Sequence, residues 1–199
     1  QSQAIQEFLD RWEIKPSLPA RASPLREHWQ YGTEPAITDE EKITEYRSKI
    51  SSISYFTQVT RPDLAFAVNC LARHMHNPNP ACFQALDDVL NYLSTHQDLG
   101  LRYKSAPTRP PPKLYSFCDA SWAGPDSIQA KSNTGYLTFY DTDLIDWSSS
   151  LQKVVALSPA EAEHNAAFES ARTLVYFQTL LDELGYPTSG PAMIYEDNQ

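Results

Sequence analysis

Three carboxylates of this 199-residue chain stand where a fold can gather them. Asp119 ends an alternating run, Glu163 lies in the first turns of a long helical pattern, and Asp197 follows a short apolar run. Carboxylates crowded together repel one another unless something positive lies between them. Paired Mg²⁺ or Mn²⁺ ions, roughly 4 Å apart, relieve that repulsion and support in-line hydrolysis of a phosphodiester. The candidate chemistry is therefore two-metal phosphodiester cleavage, with Asp119, Glu163 and Asp197 as catalytic and metal-ligating residues. The plainer alternative is a strand-end turn residue, a first-turn acid favoured by the helix dipole and a loop aspartate, with no shared site.

Meeting in space requires particular elements. Leu114, Ser116 and Cys118 alternate with Tyr115, Phe117 and Asp119, which predicts a strand that Asp119 ends. Thr134 to Tyr140 reads as a second strand and Leu144 to Ser148 as a third, joined by a tight connection over 141–143 into an antiparallel meander. Ser158 as cap, Pro159 at the first position and Glu161 as capping-box acid open a helix that runs to about Leu184, where Gly185 and Pro187 stop it. Ala192 to Tyr195 is a fourth strand delivering Glu196 and Asp197. With that strand parallel to the first, Asp119 and Asp197 emerge at neighbouring strand ends, and the crossing helix presents its first turns to both. Glu161 reaches back to the cap, which leaves Glu163 as the site glutamate. Ala166 and Ala167, three and four residues on, are small enough to let the helix approach closely.

Upstream, residues 1–11 carry a short helical pattern, and the prolines at 16, 19, 24 and 35 predict an extended tether lying across another surface. Thr38 to Glu41 has capping-box form and opens a helix to about Val59. Arg61-Pro62-Asp63 reads as a helix start, with a nucleic-acid contact the lesser reading for Arg61. Leu64 to His76 and Pro80 to Thr95 complete a three-helix bundle. Four prolines in 105–112 mark a linker. The expected organisation is a tether over 1–37, a helical region over 38–104, the linker, and a mixed α/β domain over 113–199.

Composition narrows the class. A chain that is 41% hydrophobic and 12% aromatic is globular, and no apolar run approaches the roughly 18 residues that span a bilayer, so a soluble protein is expected. Cys70, Cys82 and Cys118 lack the spacing of a zinc site or disulfide framework, which fits a reducing compartment. The net charge of −9 argues against a passive nucleic-acid coat. Residues 1–112 hold 12 basic and 13 acidic side chains, whereas 113–199 hold 4 and 12. His74, His76 and His164 read as surface residues. A two-carboxylate glycoside hydrolase would need an aromatic sugar cleft on a larger scaffold.

FCDASWAG at 117–124, KSNTGY at 131–136, DWSSSLQKVVALSPAEAEH at 146–164 and YEDNQ at 195–199 together resemble the ribonuclease H domain of copia-type LTR retrotransposon polyproteins. Tyr46 to Leu101 is similar to the connection between polymerase and ribonuclease H in that family, and Gln1 to Pro24 to the stretch after the polymerase palm. The resemblance implies a ribonuclease H-like mixed sheet behind a small helical connection region, cutting the RNA strand of RNA–DNA hybrids with two Mg²⁺ or Mn²⁺ ions. Asp119 matches the first family carboxylate, Glu163 the helix glutamate and Asp197 the aspartate of the D-N-Q motif. By that match Asp119 bridges both ions and the other two flank it. The hybrid is then contacted through backbone and 2′-hydroxyl groups, with Ser121 or Asn198 either assisting or serving as turn residues. The resemblance also implies an upstream reverse transcriptase polymerase domain as partner, no membrane, and an intracellular location in cytoplasmic virus-like particles or the nucleus. A further helix and a fourth ligand are expected beyond Gln199, leaving 113–199 C-terminally incomplete. Ser121, Glu196 and Ser150-Leu151 stand where the family usually has an aspartate, a cysteine and a lysine-rich pair. A non-catalytic, domesticated or decayed remnant acting as an interaction or weak nucleic-acid-binding module is the alternative function.

Overall fold

Helical periodicity shapes the first half of the chain. In the computed structural model, which describes residues 2–16, 19–27, 29–103, 112–123 and 131–197, α1 (Ser2–Arg11) turns Ile5, Phe8 and Leu9 inward. Against them pack Tyr46, Ile50, Ile53 and Phe56 of α2 (Glu40–Val59), the apolar side of α3 (Ala65–Ala72) and that of α4 (Pro80–Thr95). Each large apolar side chain so enclosed contributes about 1.5–3 kcal/mol. The chain divides into two units, Gln1–Leu101 and Arg102–Gln199. The proline-rich stretch expected as the linker lies, except for Pro112, outside the described residues.

Three local expectations need correcting in the helical unit. The cap of α2 is Asp39, not Thr38: its Oδ1 accepts from the amides of Glu41 (3.1 Å) and Lys42 (3.2 Å), and the charge of the carboxylate makes these bonds stronger than a hydroxyl's. Helix α3 begins after a 3₁₀ turn, Pro62–Leu64, and stops at Ala72 rather than at His76. The carbonyls beyond it are claimed from elsewhere, Met75 by Arg47 Nε (2.7 Å) and Asn77 by the Tyr31 hydroxyl (2.6 Å). His74 is half-buried rather than an open surface residue: its ring stacks on Tyr31 at 4.1 Å and meets Trp29 edge-on at 6.0 Å. Burial and neighbouring Arg73 hold its pKa below the usual histidine value. The tether packs on the helices of this unit, in keeping with a segment lying across another surface. Arg21 and Arg26 grip Asp88 at 2.9 and 2.7 Å, and Leu25 is buried in the helical core.

Alternation shapes the second unit. Strands β1 (Leu114–Ser121), β2 (Asn133–Tyr140), β3 (Asp143–Leu151) and β4 (Met193–Tyr195) form one sheet in the order β3-β2-β1-β4, antiparallel except for β1 and β4. Helix α5 (Pro159–Glu183) crosses between β3 and β4 and sets Ala162 and Ala166 against Cys118 and Ala120. Leu114, Ser116, Cys118 and Ala120 are buried. The alternate set carries an aromatic ladder, with Tyr115 on Phe139 at 5.3 Å and Phe117 on Tyr195 at 5.2 Å. Here β1 passes Asp119 and ends at Ser121, because Asp119, Ala120 and Ser121 still pair with Gly135, Thr134 and Asn133. β3 likewise runs from Asp143 to Leu151 rather than from Leu144 to Ser148, with a bulge opposite Thr138 and Phe139.

Candidate active site

The parallel register Phe117↔Tyr195 is the last rung between β1 and β4. Beyond it β1 continues without a ladder on that side, and the chain after β4 brings Glu196 near Cys118 and Glu163, and Asp197 near Glu163. The Ala120 amide, past the end of β4, donates instead to the Glu163 carboxylate at 3.0 Å. Glu163 is seated there because Ser158 caps α5 through the Glu161 amide (3.2 Å), while the Glu161 side chain turns back to the Leu157 amide (2.7 Å). Trp122 Nε1 donates to the Ala156 carbonyl (3.3 Å), joining the chain after β1 to the loop before α5.

Charge crowding bears on two groups. Burial raises the Glu163 pKa above the usual glutamate value, and the charges of Asp119, Glu196 and Asp197 add to it against the Ala120 amide. The Cys118 thiol is pushed up to about 11 by burial and then by Glu196, Glu163 and Asp119. The charges of Asp119 and Asp197 thus both reach Glu163. Glu196 is the residue that sequence reasoning missed: it acts on Glu163 more strongly than Asp197 does. Its one signal was adjacency to Asp197. Ser121 is exposed at the end of β1, and Asn198 lies outside the described residues. Among the described residues, no three Asp, Glu, His or Cys side chains converge tightly enough to hold an ion as they stand. No helix among them is long and apolar enough to cross a membrane.

A raised carboxyl pKa has a defined sign for stability. Glu163 favours folding most when protonated, so its contribution is present below the ordinary glutamate pKa and is lost as pH rises through the higher folded value. Melting temperatures in metal-free buffer are therefore expected to fall less steeply for Glu163→Gln than for the parent as pH rises out of the ordinary glutamate range. Superimposable profiles would exclude the crowding.

Over 155 residues the chain is 39% identical to the retrovirus-related Pol polyprotein from transposon RE2 of Arabidopsis thaliana, an alignment covering 78% of this chain. With that of transposon TNT 1-94 of Nicotiana tabacum the identity is 33% over 190 residues, or 93% of the chain. This chain belongs to the copia-type, retrovirus-related Pol polyproteins of transposons. It spans 10% of the RE2 polyprotein and 14% of the TNT 1-94 polyprotein. A third relative is the secreted RxLR effector protein 161 of Plasmopara viticola, 39% identical over 135 residues, with 68% of this chain and 92% of the effector covered. No family model matches the chain, and no solved structure does.

Proposed function

We propose that residues 113–199 form a ribonuclease H-like unit of a copia-type polyprotein, hydrolysing the RNA strand of RNA–DNA hybrids, and that a reverse transcriptase polymerase domain precedes them in the parent chain. The observation carrying this reading is geometric: β4 pairs in parallel beside β1, so that Asp119 and Asp197 lie toward the same end of neighbouring strands, and the Ala120 amide next to Asp119 holds the Glu163 carboxylate at 3.0 Å. The donor set fits hard divalent cations: every group is a carboxylate, and mutual repulsion draws a cation in. Asp119, Glu163 and Asp197 would hold the Mg²⁺ or Mn²⁺. Bound there, a pair of ions supplies a nucleophilic water and shields charge on attacking and leaving oxygens. The protein's own part is to fix the carboxylates. Ala120 orients Glu163 through its amide, and the β1–β4 register sets Asp119 beside the residues that follow Tyr195. The acidic balance of 113–199 means that sequence-independent contacts to sugar hydroxyls, rather than a basic groove, bind the hybrid.

A second reading is favoured by one observation. An alignment of 135 residues of this chain spans 92% of a secreted effector, so a stretch similar to part of this chain makes up nearly a whole protein there, and a non-catalytic interaction module is consistent with that. Incubation with a hybrid labelled on either strand separates the two. Divalent-dependent cutting of RNA with DNA left intact is the expected result. An uncut hybrid at all Mg²⁺ and Mn²⁺ concentrations gives the site to the interaction module.

A further inference from the structure

Gln152 is an amide enclosed where an apolar side chain would be expected, at 7% exposure. It follows β3, and its backbone amide donates to the Ser132 carbonyl at 2.8 Å, extending the β2–β3 ladder by one residue. Both donors and the carbonyl of its side chain are engaged. Nε2 donates to Thr134 Oγ1 (3.0 Å) and to the Ala162 carbonyl (2.8 Å), and Oε1 accepts from Asn165 Nδ2 (3.3 Å). Since a carbonyl only accepts, the Ala162 contact fixes which end of the amide is nitrogen.

These bonds tie α5 to one rung of the sheet. Thr134 is the cross-strand partner of Ala120, and Ala120 is the residue whose amide holds Glu163. Gln152 therefore grips the helix at Ala162 and Asn165, on either side of Glu163, and anchors it to the rung on which Glu163 is seated. Among the described residues, the other directional ties at this end are the Ala120–Glu163 bond itself and the Trp122–Ala156 bond ahead of the helix. Ala162 and Ala166 meet Cys118 and Ala120 through small apolar surfaces, which resist separation but not sliding or rotation. A satisfied buried amide adds little net stability, so its main contribution is directional.

We propose that Gln152 is a positioning residue of the carboxylate site, holding the first turns of α5 in the one rotation that places Glu163 at the Ala120 amide beside Asp119. The inference rests on the ribonuclease H reading for its catalytic consequence and on geometry alone for its structural one. Gln152→Met keeps length and volume but removes the three side-chain bonds. Leu174→Val, a buried change farther along the same helix, serves as a control for general loosening. With hybrid substrate, Gln152→Met is expected to lower kcat by about 10- to 100-fold at unchanged KM, while Leu174→Val leaves both constants within about twofold. Independently of any cleavage, hydrogen exchange at the Ala120 amide should accelerate at least tenfold in Gln152→Met, with Phe117 and Cys118 unchanged. An Ala120 amide that stays protected in Gln152→Met overturns the proposal, as does an equal loss of kcat in both variants. A parent protein that fails to cut any hybrid sinks the ribonuclease reading instead, and the exchange result still decides the role of Gln152.

Discussion

Asp119→Asn is expected to reduce divalent-dependent cleavage of an RNA–DNA hybrid by about 10³-fold, the several kcal/mol that bound cations supply to a phosphoryl transition state. The substitution keeps shape and strand pairing, so the Asp119↔Gly135 rung persists. It removes the charge that, after burial, most strongly raises the Glu163 pKa. Two consequences of opposite sign follow. Activity falls because the central carboxylate no longer ligates, and metal-free thermal stability rises slightly because repulsion is relieved. Steady-state cleavage and melting of the same sample distinguish this from a folding defect, which would lower both. Near-parental activity in Asp119→Asn would remove Asp119 from the site.

The second large effect lies in the helical unit. Arg61 is fully buried, and its Nε and Nη2 bond the Asp63 carboxylate at 3.0 and 2.8 Å. Its guanidinium lies 5.9 Å from the Tyr92 ring, and Nη1 has no partner among the described residues. Asp63→Ala leaves that cation enclosed without a counter-charge, a change that costs about 3 kcal/mol. Asp63 is itself 29% exposed at its side chain, which places the cost at the lower end of the range for buried pairs. For a unit of about 100 residues the melting transition should fall by about 12 °C or more. The double variant Arg61→Met with Asp63→Ala restores an uncharged, filled site and should recover most of the loss. A single variant that melts with the parent would mean that the pair is solvated and structurally idle. Arg61 is accordingly a structural residue, with its side chain turned away from any nucleic acid.

Much of this was readable in the chain because local chemistry and tertiary demand agree. Pro80 marks the start of α4, and the apolar stripe from Phe83 to Leu93 carries it to Thr95. Ser158, Pro159 and Glu161 likewise open α5 where expected. The parallel pairing of β1 with β4 follows from a crossover helix between them. The misses share one physical cause, a partner distant in sequence. His74 looks like an exposed histidine until Trp29 and Tyr31 of the tether close over it. Asp119 looks like a strand end until β2 extends the ladder two residues further. Glu196 carries no motif, and its weight in the carboxylate cluster becomes visible only once β4 lies beside β1.

The most direct test of the carboxylate site is Mn²⁺ titration of the isotope-labelled chain, followed by paramagnetic broadening of its amide signals. Broadening that begins at Asp119, Ala120, Glu163 and Asp197, and disappears in Asp119→Asn, is the predicted result. Broadening centred elsewhere, or unchanged by Asp119→Asn, contradicts a divalent-metal site at the end of β1.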